Sequence, residues 1–211
     1  MGSFAEHRHL FEPSDDPALD LVNTLVPGAD GLVDLLLAPD DLEAWLQSTR
    51  ASAGGGQPRP HTRFPVAPPE RRRLLDEARR LRAAIRDMLG SVAAATDSGE
   101  VVIPDPAGFA IGRVLAEGRV VHRFVTTEGP PLLLERLEAA GSMGVLAPIA
   151  LAAARLAVEA DPARLRTCVA EGCPRWFLDT SKGGRRRWCS MATCGNRAKA
   201  ARFRERHAPG G

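Results

Sequence analysis

Residues 168–197 read CVAEGCPRWFLDTSKGGRRRWCSMATCGNR and hold all four cysteines of the 211-residue chain. Cys168 and Cys173 form one C-x4-C pair, and Cys189 and Cys194 form a second one fifteen residues further on. A tetrahedral ion needs two close pairs of thiolates on short turns, with an intervening segment long enough to fold back. The four cysteines are therefore the candidate metal ligands, and a single structural Zn2+ is the expected cofactor. Four sulfurs saturate the ion and leave no open position for water, which speaks against a catalytic zinc. Zinc–thiolate bonding contributes about 10–16 kcal/mol in apparent terms, enough to hold together a segment too small for its own core. Without metal, residues 164–207 are expected to unfold. Two disulfides are the rival reading. Against them, Met1 to Leu10 carries Glu6, His7, Arg8 and His9 and no apolar leader core, so a reducing, cytoplasmic setting is expected.

Charge divides the chain at about the same place. Residues 164–211 hold twelve Lys and Arg against three acids, a net of +9, whereas residues 1–163 hold sixteen against twenty-three, a net of −7. One or two arginines would offset the formal −2 of a four-thiolate zinc centre; twelve exceed that need. A basic module on an acidic body predicts a polyanionic partner for the module. The candidate nucleic-acid contacts are Lys182, Arg185, Arg186, Arg187, Arg197, Lys199, Arg202, Arg204 and Arg206. DNA is the expected partner, with RNA or an acidic protein as the alternative.

Within the module, two aromatic-bearing strands joined by a Ser181–Gly184 turn are expected to set Trp176 or Phe177 across from Trp188. These rings read as a small core, with base stacking by an exposed tryptophan as the other reading. Residues 198–206 favour helix. On it Lys199, Arg202 and Arg206 make a basic stripe, and Ala200 and Phe203 an apolar contact on another face. Gly195 suits a turn near the metal, and Asn196 is expected to bond a sulfur or a free backbone group.

The body reads as mainly helical. Ala18, Leu21, Val22 and Leu25 share one face of a short helix over residues 17–25, with Asp20 and Asn23 as buried polar positions bonded to backbone. Asp40 and Glu43 form a capping-box pattern that opens a second helix with Leu42, Trp45 and Leu46. Residues 51–69, rich in Gly and Pro, read as a flexible loop. A long helix follows over Glu70–Leu89, with Leu74, Ala78, Leu81, Ile85 and Met88 inward and an arginine-rich, salt-bridged outer face. A helix over Pro104–Glu117 and a hairpin of Arg119–Thr126 with Pro131–Leu134 come next, His122 being a structural residue on the first strand. Residues 143–158 read as a central buried helix, and no membrane partner is expected. No nucleophile elbow, phosphate loop or two-histidine metal motif is present, so an enzyme is not expected.

The run Cys194-Gly195-Asn196-Arg197 resembles the CGNR zinc-finger family. The likeness extends over Cys168, Cys173, Phe177-x-Asp179-x-Ser181 and residues 186–191. The preceding residues resemble the ABATE domain that typically stands before this finger, through Leu19–Thr24, Asp41-Leu42-x-x-Trp45-Leu46 and Leu81-Arg82. The resemblance implies an α+β fold: a mainly helical N-terminal domain with a small antiparallel β element over residues 1–163, a treble-clef-like four-cysteine finger over 164–207, and a disordered tail at 208–211. It further implies a bacterial, stress-induced transcription regulator that binds DNA through the finger. The N-terminal domain would then serve regulation, sensing of a small-molecule effector, or homodimerisation.

Overall fold

The structure is a computed structural model and describes residues 3–28, 31–52, 67–98, 100–126 and 129–207. In chain order the elements are α1 (Phe4–His7), α2 (Pro17–Val22), a hairpin of β1 (Leu25–Gly28) and β2 (Gly31–Asp34), α3 (Pro39–Ser52), α4 (Pro68–Ser98), α5 (Asp105–Leu115), a hairpin of β3 (Gly118–Val125) and β4 (Leu132–Ala139), α6 (Ala147–Glu159), β5 (Leu165–Thr167), β6 (Trp176–Leu178) and α7 (Asn196–His207). All three strand pairs are antiparallel. The chain is thus mainly helical with small antiparallel sheets and a C-terminal four-cysteine finger.

α4 is the spine of the body. Its stripe of Leu74, Ala78, Leu81, Ile85 and Met88 is buried as expected, and the helix continues past Leu89 to bury Val92 and Ala95 as well. The arginines of its other face fasten neighbouring elements. Arg71 pairs with Asp40 and with Glu43, Arg79 donates to the Leu36 and Leu37 carbonyls, and Arg82 forks onto both oxygens of Asp34 at 2.6–2.7 Å while also reaching the Thr24 hydroxyl. Glu77, almost fully buried, takes Arg80 from its own helix and Arg113 from α5. The salt-bridged reading of this face therefore holds, with most partners on other elements.

Residues 142–159 are long and apolar enough by composition alone to cross a membrane, but α6 puts Ala147, Ile149, Ala150, Ala153 and Leu156 into the core against α2, α4 and α5.

Several local expectations change. The first helix stops at Val22, and Leu25, expected on it, instead opens β1, which pairs with β2. Strands this short, with Pro27 inside one, carry almost no alternation to read. The cap of α3 is Asp41, whose Oδ2 accepts from the N–H groups of Leu37 and Ala38 and whose Oδ1 accepts from Phe4 N at 2.6 Å. Asp40 and Glu43 point outward to Arg71. Of the expected 51–69 loop, residues 51–52 end α3 and Pro68 and Pro69 open α4; residues 53–66 lie outside the described residues, as does the 208–211 tail. β4 extends to Ala139, since Glu135 and Glu138 find His122 at 3.5 Å and Arg123 at 3.3 Å on β3 and so keep a polar stretch in the ladder.

Leu165 and Trp176, from the C-terminal module, belong to the same hydrophobic cluster as α2, α4 and α6. Body and module share a core.

Candidate metal centre and basic surface

The segment after α6 crosses β5, turns through the Cys168–Cys173 knuckle and returns as β6, with Leu165 opposite Leu178 and Thr167 opposite Trp176. The knuckle closes through Cys168 N to the Arg175 carbonyl (2.9 Å) and Cys173 N to the Ala170 carbonyl (3.0 Å). Gly172 sits at φ 69°, a left-handed conformation that residues with a Cβ rarely adopt. Of the second pair, Cys189 precedes one turn of wide helix, Met191–Gly195, and Cys194 lies within it; the turn runs straight into α7. Gly195 N–H donates to the Ser190 carbonyl at 3.0 Å, and Asn196 Nδ2 donates to Ala192 O at 3.0 Å, the free backbone group expected for it.

All four sulfurs lie within 4.8 Å of one another. Three of the separations are 3.9 Å (Cys173–Cys189), 3.6 Å (Cys189–Cys194) and 3.8 Å (Cys194–Cys173). A tetrahedron of sulfurs each about 2.3 Å from a central ion has edges of about 3.8 Å, so the donor set fits zinc in size and in chemistry. Its electrostatics ask for a cation. The hydrogen bond from Cys189 pulls Cys173 down to about 5. The same bond pushes Cys189 up, with burial adding to it. Burial, then the negative Cys173, pushes Cys194 up to about 11. One sulfur is held low and two are pushed up, and a dication bound among the sulfurs favours their thiolate forms.

Around the sulfurs the sequence-level hairpin is replaced. β6 pairs with β5, and Trp188 is in no strand. The reason is Asp179, which is fully buried and accepts from Ser181 N (3.0 Å), Ser181 Oγ (2.5 Å) and Arg186 N (2.7 Å), curling residues 179–186 into a loop. These bonds, led by the Ser181 hydroxyl, hold its carboxyl below the usual carboxylate range. Arg164 closes the loop from below, donating to the Asp179 and Ser181 carbonyls at 2.9 and 3.0 Å. Trp176 consequently faces the body's core, while Phe177 packs against the cysteines with Trp188 beside them.

The nine candidate basic residues are all exposed. Two of them also hold the metal loops. Arg186 stacks 4.8 Å over the Phe177 ring and donates to the Trp188 and Cys189 carbonyls, and Arg197 reaches the Cys194 sulfur (3.8 Å) and the Glu171 carbonyl (3.4 Å). Arg187 lies 5.4 Å over Trp188. Among the described side chains, which do not include that of Glu205, no carboxylate forms an ion pair with any of the nine. Ala200 and Phe203, expected to form an apolar contact, are both exposed, Phe203 at 58%, and the half-buried residues of α7 are Ala198 and Ala201.

Sequence reasoning missed the residues that join module to body. Arg175, almost fully buried, pairs with Glu12 and donates to the Leu10 carbonyl, and Glu12 also accepts from Thr193 Oγ1 at 2.7 Å. Arg86 reaches the Pro174 carbonyl at 3.3 Å. Between residues 12–16 and the Cys189–Ala192 stretch lies an open cleft of about 700 Å3, floored by Leu19, Trp176 and Phe177.

Two family models match this arrangement, one after the other. ABATE, described as "Putative stress-induced transcription regulator", matches residues 15–160, and the CGNR zinc finger matches residues 164–207. The chain belongs to the ABATE family. Its four clustered cysteines are those of a CGNR finger, and the ion they hold is a structural zinc. Comparison with curated proteins finds no match.

Proposed function

We propose that this ABATE–CGNR chain is a transcription regulator whose finger binds duplex DNA through Lys182, Arg185, Arg187, Lys199, Arg202, Arg204 and Arg206, with Arg186 and Arg197 contributing charge while they hold the metal loops. One observation carries the reading: a run of exposed cations, unneutralised by any carboxylate among the described side chains, displayed on loops and a helix that one metal centre rigidifies. Such a surface is positioned for phosphates, and rigidity lowers the entropy lost on binding. Cys168, Cys173, Cys189 and Cys194 are the ligands in this reading. Zinc supplies the cross-link; the chemistry of recognition belongs to the side chains.

The body's part is to fix the finger's orientation through the shared core, with the 700 Å3 cleft as the place where a small effector would touch both. The test is salt dependence. If about five side chains meet phosphate, log K falls with log salt at a slope of about −4 to −5. Binding that ignores salt, or that prefers RNA over duplex DNA, rejects the reading.

A further inference from the structure

We infer that Phe203 is the side chain with which α7 meets base edges, through thymine methyl groups in the major groove; this rests on the DNA-binding reading above. On α7, Ala198 and Ala201 are half-buried and mark its inner side. At 100° per residue the opposite side carries Phe203, with Lys199 and Arg206 next to it and Arg202 beyond them, all exposed.

The phenyl ring of Phe203 is 58% exposed and has cations for neighbours on the helix surface. Its surroundings select the occupant. A protein core would have to bury the neighbouring arginines unpaired, and an anionic membrane needs a continuous apolar face, which one ring does not provide. A DNA groove accepts both kinds of side chain, with cations against the phosphates and the ring against bases. The helix is about 10–12 Å across with its side chains, and the major groove is about 12 Å wide. The one apolar group a base pair shows there is the thymine methyl.

The other aromatic side chains of the finger are committed elsewhere. Trp176 is in the body's core, and Phe177 and Trp188 lie at the metal centre. His207, one turn on from Phe203, stacks on the ring at 4.1 Å between centroids and 23° between planes. That contact covers one face and pre-orders the ring with its other face open.

The experiment uses the zinc-loaded full chain, wild type and Phe203→Ala, against an alternating dA·dT duplex and the same duplex with deoxyuridine for thymidine, which removes only the methyls. For the wild type, uridine should weaken binding by about fourfold per contacted methyl. Phe203→Ala should lose about the same factor on the thymidine duplex, no longer distinguish the two, and keep the wild-type salt slope and zinc content. Equal wild-type affinity for both duplexes overturns the inference, as does an equal loss on both by the variant. Tighter binding to single-stranded dT also overturns it, since that is stacking on exposed bases. Absence of salt-dependent binding to any duplex overturns the DNA reading itself, a result distinct from the other three.

Discussion

The side chain of Asn23 and the backbone of Trp176, 153 residues apart, hold each other by two buried hydrogen bonds: Asn23 Nδ2 donates to the Trp176 carbonyl, and Trp176 N–H donates to Asn23 Oδ1, both at 2.9 Å. The amide pairs with β6 much as a neighbouring strand would. Asn23 ends α2, so the first core helix of the body and the strand that leaves the zinc knuckle are pinned together. A finger joined this way is oriented by the body.

Replacing Asn23 by Ala leaves a buried N–H and a buried C=O of Trp176 without partners. Each such loss costs about 1–3 kcal/mol, so the zinc-loaded variant should be about 2–6 kcal/mol less stable in chemical denaturation. An unchanged midpoint would show that the two bonds contribute nothing net.

Removing zinc should act on the whole chain. Because Leu165 and Trp176 are core residues of the body, a strong chelator, or Cys189→Ser, should lower the unfolding midpoint of body and finger together. Two separate transitions, with that of the body unmoved, would contradict the shared core.

The arginines divide into two measurable classes. Arg202→Ala or Arg204→Ala should make the DNA salt slope shallower by about one and leave zinc retention unchanged. Arg186→Ala removes donors to the Trp188 and Cys189 carbonyls, and should speed zinc loss to a chelator and destabilise the finger by about 1–3 kcal/mol. If all three behave alike, the division is wrong.

Asp16 supplies a pH test. Its Oδ1 caps α2 by accepting from Ala18 N and Leu19 N at 2.8 and 3.1 Å, yet burial raises its carboxyl above the ordinary value, outweighing those bonds. For a raised group, the stabilising contribution is complete below the unfolded value of about 3.9 and is lost as pH rises through the folded value. Asp16→Asn keeps an acceptor oxygen and never ionises. The stability difference between the two proteins should therefore move in favour of the Asp16→Asn variant as pH rises from about 4 toward 7, then level off. A difference that stays flat, or moves the other way, refutes the assignment.

Local pattern made much of this legible. The four cysteines were readable because metal spacing is set by short turns, α4 and α5 because apolar residues recur at the helical period, and α6 because residues 143–158 are almost wholly apolar. Asn23 was readable as a buried amide bonded to backbone, but the identity of that backbone was not, since its partner lies on the far side of the chain. The β1–β2 hairpin and the Asp41 cap escaped because four-residue strands and adjacent aspartates, Asp40 and Asp41, carry no distinguishing periodicity.

The amino-acid sequence alone determined the zinc ligands, the helical frame and the separation of an acidic body from a basic end, since each depends on residue types at short spacing. Only the tertiary structure decided which ring is buried and which faces water, and which arginines hold the metal loops. Trp176, Phe177 and Trp188 carry the same local signal, as do Arg185, Arg186 and Arg187. They differ in what the fold brings within contact: a core for Trp176, carbonyl oxygens for Arg186, and open solvent for Phe203.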